Sequence, residues 1–145
     1  MTSTLPFPST SSPGSKLKIL LDTQCWLWMV GASFRLSETA AAILTASEND
    51  LFLSAASVWE IAIKHGLGKL QLPMQPSEYV RTRLALTSTI ELPIHHRHAF
   101  RIAGLPRHHR DPFDRMLIAQ AQVENLHIMT ADPQFALYGV PLLRA

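Results

Sequence analysis

Short apolar runs alternate with longer segments that carry helical signals along most of the chain. Five runs predict buried strands, at 17–22, 50–55, 90–94, 126–132 and 140–144. The intervening segments predict helices at 23–31, 36–47, 57–66, 76–88 and 95–106, a sixth helix from the 108–121 segment to about 125, and a helical turn at 133–139. This alternation predicts an α/β fold, a three-layer sandwich whose central, mainly parallel sheet of about five short strands carries helices on both faces.

The chain has 145 residues, which suits one domain with its own core. The first sixteen residues are rich in Ser, Thr and Pro and predict a flexible tail (1–16), so the domain is expected at 17–145. No apolar run approaches the roughly 20 residues that a membrane-spanning helix needs. A single cysteine, Cys25, cannot form an internal disulfide, and this favours the reducing cytoplasm.

Acidic residues are scarce, and several fall where the predicted strands end. The chain has 11 Asp and Glu and a net charge of +2, which is compatible with a nucleic-acid partner. The carboxyl ends of parallel strands share one edge of a sheet. We therefore expect four acids to converge there: Asp22 after the first strand, Glu60 one helical turn after the second, Asp114 at the start of the last long helix and Asp132 after the fourth strand.

Each of these acids has a simpler interpretation as a helix cap. Asp111, Pro112 and Asp114 fit the N-cap, N1 and N3 positions of one helix. Ser57 with Glu60 matches a capping box, and Asp22 and Asp132 could also cap the helices that follow them. Capping must then be invoked four times at the same edge, whereas one shared site explains the clustering with a single cause.

A shared site of this composition favours a hard divalent cation. Neighbouring carboxylates repel one another, and Mg²⁺ or Mn²⁺ removes the repulsion and prefers oxygen ligands. The histidines lack a recognised zinc spacing. A bound cation lowers the pKa of a water and polarises a phosphoryl oxygen, which suits phosphodiester hydrolysis. Two alternatives stay open: another metal-dependent phosphate-handling enzyme, and a catalytically inactive RNA- or protein-binding module whose acids serve only as caps.

Basic and aromatic side chains supply further candidates. The segment 107–110 could face RNA phosphates, or it could be a solvated charged loop with ordinary surface histidines. The three tryptophans are expected in the core or at an interface rather than stacked on bases. The candidate RNA contacts are Arg107, His108, His109, Arg110, Arg115 and Lys64.

Four segments, "LLDTQCWLW", "SAASVWEIAIKHGLGKL", "GLPRHHRDPFDRMLIAQA" and "IMTADPQF", resemble the PIN-domain ribonucleases in order and spacing. The VapC-type toxins of type II toxin–antitoxin systems are the most similar, and the resemblance runs from about Leu17 to Leu143. It implies a PIN-like sandwich and a Mg²⁺- or Mn²⁺-dependent endoribonuclease that cuts RNA with an activated water. It also implies a homodimer and a cognate small antitoxin.

The resemblance carries over to individual positions. Gln24 departs from it, because many relatives have His there, and this leaves any substrate contact at that position open. Asp111 then becomes the cap, and Thr23 and Thr130 are expected to support the acids by binding water or phosphate. The residues implied as catalytic and metal-binding are Asp22, Glu60, Asp114 and Asp132.

Overall fold

The computed structural model of the protein describes residues 16–145. The predicted flexible tail falls almost entirely on residues 1–15, which lie outside the described residues, so it stays a prediction. Lys16, which the prediction assigned to the tail, contacts the folded domain, because its ammonium group lies 3.2 Å from the Asp50 carboxylate. None of the helices in residues 16–145 has the length and apolar character that a membrane crossing requires.

Strands and helices alternate along the described chain, as the sequence predicts. The strands are β1 (Lys18–Leu21), β2 (Asp50–Ser54), β3 (Ile90–Leu92), β4 (His127–Thr130) and β5 (Leu142–Arg144). The α-helices are α1 (Thr23–Gly31), α2 (Glu38–Thr45), α3 (Ala55–Gly66), α4 (Pro76–Thr87), α5 (His96–Ile102) and α6 (Pro112–Glu124). Two short 3₁₀ helices lie at Ser33–Arg35 and Pro133–Tyr138. The predicted α/β fold is therefore confirmed.

All five strands are parallel, and their order in the sheet is β3-β2-β1-β4-β5. In the first half of the chain β2 pairs with β1, and β3 pairs with β2. In the second half β4 pairs with the other side of β1, and β5 pairs with β4. The order reverses between β1 and β4, and ligands of open parallel sheets bind outside the carboxyl ends of the strands at such a point. The topology thus indicates a site beside the ends of β1 and β4.

The sheet is buried on both faces, because side chains alternate between two apolar layers. Ile19 and Leu21 of β1 pack into the layer that α1 to α3 cover. Leu20, between them, packs into the opposite layer with Leu117 and Ile118 of α6. Each fully buried aliphatic side chain contributes about 1.5–3 kcal/mol, so β1 is held from both sides. This arrangement confirms the predicted three-layer sandwich.

One predicted helix start is wrong. Helix α3 begins at Ala55, directly after β2, and not at Ser57. Its cap is Ser54, whose Oγ accepts from the Ala56 amide at 3.0 Å. Ser57 is buried inside the first turn, so Ser57 and Glu60 do not form the predicted capping box. Glu60 therefore does not take part in capping α3.

Helix α6 is anchored to the sheet by a buried amide. Ser54 Oγ lies 2.5 Å from Gln120 Oε1, and Gln120 Nε2 donates to the carbonyl of Pro93 at 3.2 Å. Ser54 ends β2 and Pro93 follows β3, so the anchor fixes α6 over the carboxyl ends of both strands. The first turn of α6, which carries Asp114, is positioned by this contact.

Candidate metal centre

Asp22 lies at the switch point and uses its two carboxylate oxygens differently. Oδ1 caps α1 by accepting from the Cys25 amide at 2.7 Å. Oδ2 accepts from Thr130 Oγ1 at 2.5 Å, across the β1–β4 pair. Burial raises the pKa of Asp22, and the charge of Glu60 adds to the increase. The cap interpretation of this acid is therefore confirmed, and its role as a metal ligand stays a prediction, which the cap permits because it occupies only one of the two oxygens.

Thr130 connects Asp22 to Asp132. The Thr130 hydroxyl donates to Asp22 and accepts from the Asp132 amide at 3.0 Å. Asp132 caps the second 3₁₀ helix, because its Oδ1 accepts from the Gln134 amide at 2.9 Å. Its Oδ2 lies 3.1 Å from Nε2 of His109. One hydroxyl thus fixes two acids from opposite ends of the chain relative to each other.

Glu60 faces the same edge from α3. It is buried, and its Oε2 lies 2.7 Å from the Lys64 ammonium group one turn later. The Glu60 hydrogen bond raises the pKa of Lys64, so this lysine is a stable counter-ion for Glu60. Thr23 Oγ1 donates to Ser57 Oγ at 2.8 Å and joins the first turns of α1 and α3. Thr23 is therefore a link between helices.

The two acids at the start of α6 have different roles. Asp111 is exposed, and its Oδ1 caps the helix by accepting from the amides of Phe113 at 2.8 Å and Asp114 at 3.3 Å. Within residues 16–145 no group donates a hydrogen bond to the Asp114 carboxylate. Burial, reinforced by the charge of Asp111 and by weaker effects of Glu60 and Asp22, raises the pKa of Asp114 to about 7. Among the four candidate acids Asp22, Glu60, Asp114 and Asp132, Asp114 is therefore the one whose carboxylate has no hydrogen-bond partner in the described residues.

Asp114 and Asp132 form a close set with His109. One ligand atom of each residue lies within 4.8 Å of the other two, and Asp22 and Glu60 lie outside this set. The alternative of an ordinary surface histidine is wrong for His109, which is buried against Phe135 and Tyr138. His98 is also fully buried, beside Glu124. Burial also argues against His109 as a surface RNA contact.

The hydrogen bonds around His109 determine which ring nitrogen carries the proton. The Tyr138 hydroxyl accepts from the amides of His108 at 3.1 Å and His109 at 2.8 Å, which fills its acceptor positions. Its hydrogen then donates to His109 Nδ1, 3.1 Å away. In the neutral ring the proton lies on Nε2, which donates to Asp132. His109 therefore holds Asp132 through a hydrogen bond and is not free as a ligand in this arrangement.

The donor chemistry of the cluster fits a hard divalent cation. Asp114 and Asp132 lie close together, Thr130 joins Asp132 to Asp22, and burial raises the pKa values of Asp22 and Asp114. Lys64 is paired with Glu60. Oxygen ligands of this kind are those that Mg²⁺ and Mn²⁺ take up in proteins. The choice between these two metals stays a prediction.

The remaining predicted contacts differ in their surroundings. Arg107, His108 and Arg110 are exposed on the loop before α6. Arg115 is partly buried, and its guanidinium donates to the carbonyls of Pro106 at 2.8 Å and Ile102 at 3.2 Å. This group is therefore held in place before any ligand binds.

The tryptophans are placed differently from one another. Trp26 is fully buried in the layer over β1, as expected. Trp59 is 60% exposed and lies edge-on to Phe113, with ring centroids 5.2 Å apart, so it is not part of the core of this chain. Gln24 is exposed at the first turn of α1. The aromatic pair was not predicted, although each member directly precedes a candidate acid, Glu60 or Asp114.

Known proteins provide an independent comparison. A family model described as PIN domain matches residues 19–140. Ribonuclease VapC16 of Mycobacterium tuberculosis (strain ATCC 25618 / H37Rv) is 40% identical over 77 residues, which cover 52% of this chain and 54% of that protein. The chain thus aligns with about half the length of this curated relative.

Solved structures share the architecture. VapBC2 from Rickettsia felis, bound to a DNA fragment from their promoter, superposes with a TM-score of 0.68 at 15% identity, covering 89% of this chain and 99% of that one. DNA-bound VapBC from Salmonella typhimurium gives a TM-score of 0.59 at 18% identity, covering 88% and 98%. At this level of identity the likeness shows the fold. Because the family match extends across most of the folded domain, this chain belongs to the PIN domain family, as its four sequence segments predict.

Proposed function

We propose that this protein is a metal-dependent endoribonuclease that hydrolyses phosphodiester bonds of RNA, and that it acts as the toxin of a toxin–antitoxin pair. One observation carries the proposal: Asp114 lies close to Asp132, which Thr130 joins to Asp22 at the topological switch point, and Asp114 is partly buried without a hydrogen-bond donor among residues 16–145. A carboxylate kept in this state is costly unless a ligand uses it. The relative named as a ribonuclease supports the choice of reaction.

The residues that would hold Mg²⁺ or Mn²⁺ are Asp22, Glu60, Asp114 and Asp132. When bound, a divalent cation lowers the pKa of a water and offsets negative charge on phosphoryl oxygens. The chain itself contributes preorganisation, because Thr130 sets Asp22 and Asp132 at a fixed separation before substrate arrives.

Positive charge next to the acids serves the substrate. Lys64 neutralises Glu60 and limits the repulsion that an RNA phosphate would meet at the cluster.

The Asp132 carboxylate is oriented by His109, which in turn is held by Tyr138. Supporting contacts of this kind fix the ligands of metal sites in their working orientation.

A small antitoxin and a second copy of this chain are the proposed protein partners. The structures of VapBC complexes support the first of these, since they hold toxin and antitoxin together. An apolar stripe along α3 and its C-cap residue also supports a protein partner: Trp59, Ile63 and the C-cap Leu67 follow one another at four-residue spacing and are 60%, 38% and 64% exposed.

Cleavage of RNA by the purified full chain tests the proposed activity. We expect single-stranded RNA to be cut in Mn²⁺ or Mg²⁺ and to stay intact after a chelator is added. Asp22→Asn and Asp114→Asn should each lose at least about 100-fold in rate, because each removes a charged ligand. Asp111→Asn, which keeps the helix cap, is the matched control and should cleave at the wild-type rate. Cleavage that survives the chelator, or that survives in both ligand variants, would refute the proposal.

A further inference from the structure

A cavity of about 580 Å³ opens beside the acidic cluster, between the end of α5 and the start of α6. Among residues 16–145, no acidic side chain lines it. Three of its six lining residues are arginines, and one more is the histidine that holds Asp132. The lining residues are Ile102, Arg107, His109, Arg110, Pro112 and Arg115. A concave surface with cations and without acids is typical of an anion site.

Arg115 is the fixed cation of this cavity. Its Nη1 and Nη2 donate to the carbonyls of Pro106 and Ile102, so the guanidinium is already ordered. Because these two carbonyl groups are neutral, they leave the positive charge of the Arg115 guanidinium uncompensated. A guanidinium has five N–H groups, so about three remain for a ligand. An ordered guanidinium also loses little freedom when it binds an anion.

Arg107 and Arg110 are the exposed cations of this cavity. Both are exposed, and in the described part of the chain neither pairs with a carboxylate nor donates a hydrogen bond to another residue. The closest acid in sequence, Asp111, has its Oδ1 occupied by the cap of α6. Three like charges around one cavity repel one another, and an anion between them would remove that repulsion.

We propose that this cavity binds a phosphate of the RNA strand next to the phosphate that is cut. The inference rests on the proposed function. It follows from the position of the cavity, because His109 lines it and reaches Asp132, and Pro112 lines it two residues before Asp114. A strand whose scissile phosphate lies at the acids carries its neighbouring phosphates within one nucleotide of them. Guanidinium groups match the geometry of phosphate oxygens.

A phosphate contact has a characteristic effect on binding. It adds affinity for every RNA sequence and makes that affinity depend on salt. For single strands, each phosphate that is neutralised contributes about 0.7 to the slope of log affinity against log salt concentration. The slope therefore reports phosphate contacts directly, and a purely structural role of the arginines would not change it.

Binding of a labelled single-stranded RNA to the full chain tests the proposal. Fluorescence anisotropy in a chelator, at several salt concentrations, measures the Kd without cleavage. We expect Arg107→Ala with Arg110→Ala to weaken binding by at least about tenfold, and to lower the salt slope by about 0.7, the contribution of one phosphate. Arg115 is kept, because it fastens the loop. The control is Arg81→Ala, an exposed arginine of α4 outside this cavity, which should bind like the wild type.

The outcomes separate this inference from the proposed function. An unchanged Kd and an unchanged slope in the double variant would overturn the cavity proposal, whether or not the wild type cuts RNA. A double variant that binds RNA normally but loses an acidic antitoxin peptide would overturn it in favour of a protein carboxylate. Cleavage by the wild type in Mn²⁺ is measured separately and tests the activity alone. Equal thermal unfolding midpoints verify that the variants are folded.

Discussion

Replacing Asp114 by Asn should stabilise the metal-free protein and destabilise the protein in the presence of metal, relative to the wild type. The carboxylate of Asp114 is partly buried, lies near other acids and has no hydrogen-bond donor among residues 16–145. Asn has the same shape without the charge. The substitution therefore removes an unfavourable charge when no cation is present, and a ligand when one is.

The magnitude follows from the pKa of Asp114, which rises from 3.8 to about 7. At about 1.36 kcal/mol per pKa unit, the ionised group costs the folded state at most about 4 kcal/mol. Solvent screening of this partly exposed side chain reduces the cost, and we expect about 1–2 kcal/mol. Such a change corresponds to a rise in Tm of roughly 3–8 °C for a domain of this size.

The stability gained by Asp114→Asn in the absence of metal depends on pH. Because the folded-state pKa is raised, the folded protein keeps the Asp114 proton to a higher pH than the unfolded chain does. The penalty is absent below pH 3.8, grows up to about pH 7 and is constant above it. The advantage of Asp114→Asn should therefore be larger at pH 8 than at pH 5 when unfolding is measured in a chelator.

Adding metal should reverse the order of stability. A ligand at 100 times its Kd stabilises the folded state by about 2.7 kcal/mol. At pH 8 the wild type should gain this increment from Mn²⁺ and become the more stable protein, while Asp114→Asn gains little. Asp111→Asn is the control and should respond to Mn²⁺ like the wild type. A variant that is less stable than the wild type in the chelator and gains the same increment from Mn²⁺ would refute the reasoning.

Three further predictions follow from the contacts around the cluster. Asp111→Ala should lower the free energy of unfolding by about 1 kcal/mol in urea titrations, because the cap of α6 is lost, and it should leave RNA cleavage unchanged. His109→Gln can keep a donor toward Asp132, whereas His109→Asn cannot reach it, so only the Asn variant should lose about 10–100-fold in Mn²⁺ affinity by calorimetry. Cys25 is fully buried, and burial raises the pKa of its thiol, so iodoacetamide should modify it only after the protein unfolds; rapid modification of the folded protein would contradict this.

Much of the fold could be predicted from the sequence because its signals are local. Continuous apolar runs such as that of β1 require a sheet covered on both faces, and a good capping residue, Ser37, precedes α2 and accepts from the Ala40 amide. The start of α3 could not be placed in the same way. Ser54 and Ser57 are both good caps, and only the end of β2 decides in favour of Ser54.

The site was only partly accessible to sequence reasoning. The positions of Asp22 and Asp132 at the ends of predicted strands indicated that both lie at one edge of the sheet. From the sequence, however, helix capping and a shared metal site were alternative explanations for these acids. The structure shows that each carboxylate caps with one oxygen and contacts another side chain, Thr130 or His109, with the other, so capping does not exclude a shared site. The hydrogen bonds of His109 join it to Asp132 and Tyr138, which are 23 and 29 residues away, and no local pattern encodes such contacts.

The central claim is that carboxylates from distant stretches of the chain hold one divalent cation at the end of β1. Anomalous diffraction from a crystal soaked in Mn²⁺ measures this most directly. We predict a strong peak within coordination distance of the carboxylate oxygens of Asp22 and Asp114, and no such peak in crystals of Asp114→Asn. A peak that lies elsewhere, or that persists unchanged in the Asn variant, would contradict the account.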